Sequence, residues 1–161
     1  MKARNYAIPL EPYGKARPRV THRLVKGKVY SSAHMPKGYT QWKADAAWFI
    51  QDKTPLDGPL YMQIELIKRR PKSVGKSHAD CERLRGSNEL CYRTTTPDAD
   101  NAAGTVMDLL QELGVIRNDS QIAWLSARSL YAPKGEAGRV LVQLASLRDA
   151  PCLHAVRYRE K

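Results

Sequence analysis

No apolar run in this chain of 161 residues approaches the ~20 needed to cross a bilayer as a helix. Met1-Lys2-Ala3-Arg4-Asn5 leads straight into a polar, basic stretch with no apolar core of a signal peptide, so a cytoplasmic, intracellular protein is expected. Cysteine is scarce, three residues, an odd number that argues for reduced thiols over a disulfide framework. There is no Gly-rich phosphate loop, no Ser-His-Asp grouping and no catalytic Cys-His pair. Acids are almost missing from the first 43 residues, which hold Glu11 alone against ten Lys or Arg.

What is present is positive charge. The formal net charge is +11, which points to a polyanionic partner, nucleic acid ahead of a membrane surface. The cations Lys15, Arg17, Arg19, Arg23, Lys26 and Lys28 crowd one Pro- and Gly-containing stretch, and Lys68-Arg69-Arg70 opens a second. Cationic surface that holds phosphates, with a few carboxylates that hold a metal, is the division of labour a nuclease needs.

Periodicity organises the rest. Arg4–Leu10 alternates as a strand, and Glu11–Lys28 reads as a basic loop or hairpin leading to a short strand at Val29-Tyr30. Tyr39–Gln51 carries Trp42, Ala46, Phe49 and Ile50 at helical spacing, and Leu60–Ile67 is the clearest strand. Residues 68–96 read as a long loop, with a basic insertion around 71–93. A helix is expected from Pro97 to Leu113 with Val106, Met107, Leu110 and Leu113 as its apolar face, ended by Gly114. Strands follow over 121–131 and 139–147, joined by the turn Pro133-Lys134-Gly135. The expectation is an α/β (α+β) fold: a mixed sheet with packed helices in one domain over 1–148, then a tail over 149–161.

Asp98 and Asp100 stand in Pro97-Asp98-Ala99-Asp100-Asn101, and two readings apply. Asp at a helix start caps free N–H groups and complements the dipole. Two acids two residues apart also suit a hard cation such as magnesium, which keeps several of its waters. Asp119 is a third acid, before the strand at Gln121. A helix from Asp100 to Leu113 spans ~20 Å, so a tight turn at Gly114 leaves Asp119 near its far end, and spacing alone does not bring it back. Asp108 is ~12 Å along the helix from Asp100 and reads as solvent-facing or capping.

Three further groups weigh less. His78, Cys81 and Cys91 fit no common zinc spacing and suit a polar surface loop, and Cys152 with His154 carries less still. Most of Trp42, Trp48 and Trp124 are expected in the core. Tyr13, Tyr30 and Tyr39, interleaved with cations, are the better base-stacking candidates.

The block from Pro97 to Gln121, PDADNAAGTVMDLLQELGVIRNDSQ, resembles the RusA family of Holliday junction resolvases: Asp98-Ala99-Asp100-Asn101, then Asp108-Leu109-Leu110, then Asn118-Asp119-Ser120-Gln121. Gly14-Lys15-Ala16-Arg17-Pro18-Arg19 resembles the basic loop of phage-type members, and Tyr131-Ala132-Pro133-Lys134-Gly135 also fits, so that the likeness covers most of residues 5–145. The resemblance implies a homodimer that nicks four-way DNA junctions symmetrically in recombination and repair, in a bacterial cell or as a phage product. It implies Mg²⁺, with Mn²⁺ as an alternative, held by Asp98, Asp100 and Asp119, and a fold that brings Asp119 beside the other two. Lys15, Arg17, Arg19, Arg23, Lys26, Lys28 and Lys134 are the expected DNA contacts. Gly104 and Thr96 stand where family members carry lysines, and Asn118 where they carry Asp. Either another cation, with Lys15, Arg17, Arg19 and Lys134 as candidates, takes the lysine's place, or the protein is a weakened or inactive branched-DNA binder.

Overall fold

The computed structural model describes residues 3–72 and 90–147. His78 and Cys81, the tail and most of the 71–93 insertion lie outside them.

The alternating stretches, with one two-residue segment read as loop, become strands of one five-stranded sheet. These are β1 (Arg4–Ile8), β4 (Leu60–Lys68), β5 (Cys91–Tyr92), β6 (Ile122–Tyr131) and β7 (Arg139–Ser146), in the order β1-β7-β4-β6-β5. Only β4 and β6 run parallel; the other neighbours are antiparallel. A parallel pair needs a crossover, and helix α2 (Ala99–Glu112) supplies it. The fold is therefore α+β: among the described residues, a mixed sheet with two helices in a single domain. Among the described residues, no helix is long and apolar enough to cross a membrane.

Pleating sends Leu60, Met62, Ile64 and Leu66 of β4 to one face, where they meet Val140, Val142 and Leu144 of β7 and Ala102, Ala103, Val106, Leu109 and Leu110 of α2. Helix α1 (Lys37–Ala47) adds Trp42 and Ala46 to this core. Gly114, at φ +74°, ends the turn after α2 in a conformation that glycine adopts without a Cβ clash.

Three expectations shift. Helix α1 stops at Ala47, so Phe49 leaves the helical stripe and is exposed, while Ile50 still reaches the core. Trp48 is exposed and Trp124 half so, packed edge-on against Tyr61; only Trp42 of the three is in the core. Cys91 lies not in a loop but in β5, buried and paired with Tyr131.

The basic stretch forms a hairpin longer than its sequence suggested: β2 (Arg19–Val25) and β3 (Lys28–His34), exposed at every position. Lys26 and Gly27 both take positive φ (49° and 76°), the two-residue turn whose twist suits antiparallel strands.

Candidate metal centre and nucleic-acid surface

Strands β4 and β6 end on the same edge of the sheet, and α2 begins there. In α/β architecture, the carboxyl edge of parallel strands is where ligands bind. Arg93 builds this corner. It is buried; its Nη2 donates to the Pro97 carbonyl at 2.9 Å and to Ser129 Oγ, its Nη1 to the Thr95 carbonyl, and its backbone N–H to the Ser129 carbonyl at 2.9 Å. Thr95 Oγ1 and the Tyr131 hydroxyl lie 2.9 Å apart, and the Thr96–Pro97 peptide is cis. Burial lowers the Arg93 pKa from its ordinary value, opposed by the charges of Tyr131, Asp98 and Glu11.

This clamp delivers Asp98 to the N-cap of α2 and Asp100 to its first turn, both exposed. Asp98 has extended backbone (φ −66°, ψ 154°), yet its side chain makes no capping hydrogen bond. Among the described residues, no hydrogen bond or ion pair engages the carboxylates of Asp98, Asp100 or Asp119. Capping therefore does not account for Asp98. Two uncommitted hard oxygen donors at the positive end of a helix dipole fit a hydrated magnesium ion, which needs few protein ligands.

Asp119 is not brought to them. Its backbone N–H bonds the Gln111 side-chain oxygen (3.3 Å), near the C-terminal end of α2. Thirteen residues separate Asp98 from Gln111, ~20 Å along the helix. Among the described residues, no three acids, histidines or cysteines gather into a metal cage. Asp119 sits on a 3-10 turn (Asp119–Gln121) fixed by a reciprocal box: Asn118 Oδ1 accepts from Ser120 N–H (2.8 Å), and Gln121 Oε1 accepts from the backbone N–H of Asn118 (3.4 Å). Gln121 also donates to the carbonyls of Leu56 (3.2 Å) and Gly58 (3.3 Å), tying the turn to the start of β4.

Cations reach the carboxyl edge from three segments. Lys15 donates its backbone N–H to the Asn101 carbonyl (3.1 Å). A Cβ on Gly14 would stand 3.0 Å from Pro97 Cβ and 3.3 Å from Asn101 Nδ2, so any larger residue would push the loop a few tenths of an ångström away from the start of α2. The Lys15 side chain then crosses α2 over Gly104, where an added Cβ would be 3.4 Å from its Cδ, and its Nζ meets Asp108 at 3.0 Å. Lys68 Nζ lies 3.4 Å from the Thr96 carbonyl. Positions 104 and 96, which lack a lysine of their own, are thus each met by a lysine from elsewhere in the chain.

Lys134 is exposed in the turn after β6, on the same edge. Arg17 leads from Lys15 into the hairpin that carries Arg19, Arg23, Lys26 and Lys28, all exposed.

Sequence reasoning missed Arg93 and saw Lys68 only as part of a basic run, because nothing in their local pattern marks a buried clamp or a reach to Thr96. It also read Asp108 as solvent-facing or capping. Asp108 instead accepts from the Tyr39 hydroxyl (2.6 Å) and from Lys15, since α1 and the Gly14 loop both pack on α2. Tyr39 is buried rather than free to stack on bases; burial first, then Asp108, raises its pKa far above its ordinary value. Tyr13 tilts against Tyr39 (ring centroids 6.3 Å apart), which leaves Tyr30 as the most exposed of the three tyrosines.

A family model described as Endodeoxyribonuclease RusA matches residues 9–145. A protein of Bacillus subtilis strain 168 described as uncharacterized, YqaN, is 32% identical over 123 residues, which cover 76% of this chain and 83% of that protein.

Proposed function

The chain belongs to the Endodeoxyribonuclease RusA family, DNA-cutting hydrolases directed at Holliday junctions, and we propose that it nicks four-way junctions symmetrically as a homodimer whose metal sites are shared between subunits. Asp98 and Asp100 of one subunit and Asp119 of the partner subunit form each site. The observation that carries this reading is the ~20 Å of helix between the two sets of acids, each exposed and uncommitted, within one chain.

The far edge of β6 supports the pairing. One side of β6 bonds β4 along its length, while among the described residues the other is met only at Ser129, Leu130 and Tyr131, by β5 and Arg93. The free stretch carries the half-exposed Trp124 and Leu125. An unpaired edge with apolar side chains invites a second strand. A two-fold antiparallel pairing along it exchanges the strand's ends, so Asp119, just before β6, approaches the partner's corner beside Tyr131 and Thr95.

Magnesium, or manganese in its place, would supply Lewis acidity toward the phosphate and a water of lowered pKa when bound. The chain's own residues do the rest. Arg93 holds the Thr95–Asp98 turn rigid, and the helix start orients the acids. Lys68, beside the Thr96 carbonyl, neutralises charge at the scissile phosphate, and Lys15, paired with Asp108 one to two turns further along α2, adds positive charge behind it. Arg17, Arg19, Arg23, Lys26, Lys28 and Lys134 grip flanking phosphates without reading bases. Two sites related by a dyad match the two-fold symmetry of a four-way junction, as a recombination and repair enzyme requires. Lysines standing over Gly104 and beside Thr96 favour an active enzyme over an inactive binder.

Coexpression of Asp98→Asn with Asp119→Asn tests the sharing. Each variant alone is expected to bind a labelled junction and leave it uncut with Mg²⁺. The mixed dimer contains one intact site and is expected to nick one strand. No nicking by mixed dimers would return all three acids to a single chain.

A further inference from the structure

The hairpin's two faces differ in chemistry. Alternation along each strand puts Arg19, Thr21, Arg23 and Val25 on one face, opposite His34, Ser32, Tyr30 and Lys28. Thr21 and Ser32 confirm the pairing with their hydroxyls 2.8 Å apart. The other face carries Val20, Leu24, Val29 and Ala33, with the His22–Ser31 pair between them, Nδ1 to Oγ 2.8 Å. Val20 is 58% exposed, Leu24 71% and Val29 66%. Singly exposed apolar residues are ordinary, but three large ones sharing one face of a two-stranded ribbon form a surface that water alone covers poorly.

Charge decides what covers it. No acid occurs between Glu11 and Asp45, while eight Lys or Arg do (Lys15, Arg17, Arg19, Arg23, Lys26, Lys28, Lys37, Lys43). A second copy of this hairpin would bring the same positive charge against itself. A polyanion that also offers flat apolar surface satisfies both faces at once, and DNA with unstacked bases is such a partner. Stacked bases inside a duplex hide those surfaces; a branch point exposes them. The hairpin starts four residues beyond Lys15, at most ~14 Å from the Asn101 contact beside the metal acids.

We propose that the Val20–Leu24–Val29 face contacts unstacked bases at the branch point, while the Arg19–Arg23–Lys28–Tyr30 face holds the adjoining backbone. This rests on the junction-nuclease reading above and deepens it: the cationic face supplies affinity for any DNA, the apolar face supplies preference for branches. A small apolar insertion between bases is a known way for a protein to select deformed DNA.

The test uses the full chain without divalent metal and a four-way junction with 2-aminopurine at the branch point, beside the same label within a duplex arm. Wild-type protein is expected to raise the branch-point fluorescence and leave the arm label unchanged. V20T/L24T/V29T puts a β-branched residue at all three strand positions, so the hairpin is retained. It is expected to lose that rise, to lower the junction-to-duplex affinity ratio about tenfold, and to sediment as wild type. R23Q/K28Q, on the opposite face, is expected to weaken both DNAs alike and flatten the salt dependence. An unchanged fluorescence rise and affinity ratio in the threonine variant overturns the inference. So does sedimentation of that variant as a smaller species, which would make the face a contact between copies. Wild-type protein that leaves junctions uncut with Mg²⁺ overturns the nuclease reading itself.

Discussion

The two ends of α2 hold acids of the same kind on different supports. At its N-terminus, Asp98 and Asp100 stand on a corner held by a buried arginine, with Lys15 and Lys68 close by and the positive pole of the helix beneath them. At the other end, Asp119 rides a short turn fixed almost wholly by uncharged amides: Asn118, Gln111 and Gln121. Its nearest described ion pair, Arg117 with Asp57 (2.8 Å), is self-contained and exposed. Under the proposed assignment, the first end balances negative charge from substrate and acids together. The second is built to present one carboxylate rigidly, which suits a ligand lent to a site elsewhere.

Breaking either end should reveal that asymmetry. The largest effect belongs to the acids: Asp98→Asn, Asp100→Asn and Asp119→Asn should each cut junction nicking about a thousandfold, several kcal/mol of charge stabilisation, while junction binding persists. Near-normal nicking by Asp119→Asn would separate the two ends for good. Next is Arg93→Ala, which strands the carbonyls of Thr95 and Pro97. A loss of about 2–4 kcal/mol in urea unfolding is expected, together with a raised Mg²⁺ requirement for nicking. A stability loss with an unchanged Mg²⁺ requirement would make the clamp merely structural.

Asn118→Ala removes a cap from the lesser end and should cost about 1 kcal/mol, again read by unfolding, with a smaller fall in nicking than the acids give. High pH gives the smallest effect. The pKa values of Tyr39 and Tyr6 are both raised in the folded state, chiefly by burial, so folding favours their protonated forms. That stability is present below the ordinary tyrosine pKa of about 10 and lost as pH rises beyond it. Tyr39→Phe should flatten the loss above pH ~10 and cost about 1 kcal/mol at neutral pH. An unaltered alkaline unfolding profile would show that the Tyr39–Asp108 contact contributes nothing.

The fold was legible wherever one face of an element is buried, because burial imposes a period: β4, β6, β7 and α2 all lie within a residue or two of their expected limits. Elements set by something other than a buried face were not. Hairpin strands β2 and β3 have no buried face, and two-residue β5 is too short to show a period. At the site, residue types were legible and positions were not. Asp98, Asp100 and Asp119 announce themselves as acids, but the distance of Asp119 depends on where the chain turns after Gly114. Arg93 looks like any surface arginine until Ser129 of β6, 36 residues further along the chain, closes over it.

A rod with two donors at one tip and a third at the other also has a consequence for dosage. Under the shared-site assignment, an isolated chain carries every ligand yet no finished site, so cutting should fade with the square of protein concentration once dilution separates the pairs. A nuclease arranged this way idles while scarce and spares intact chromosomes until enough copies accumulate to meet.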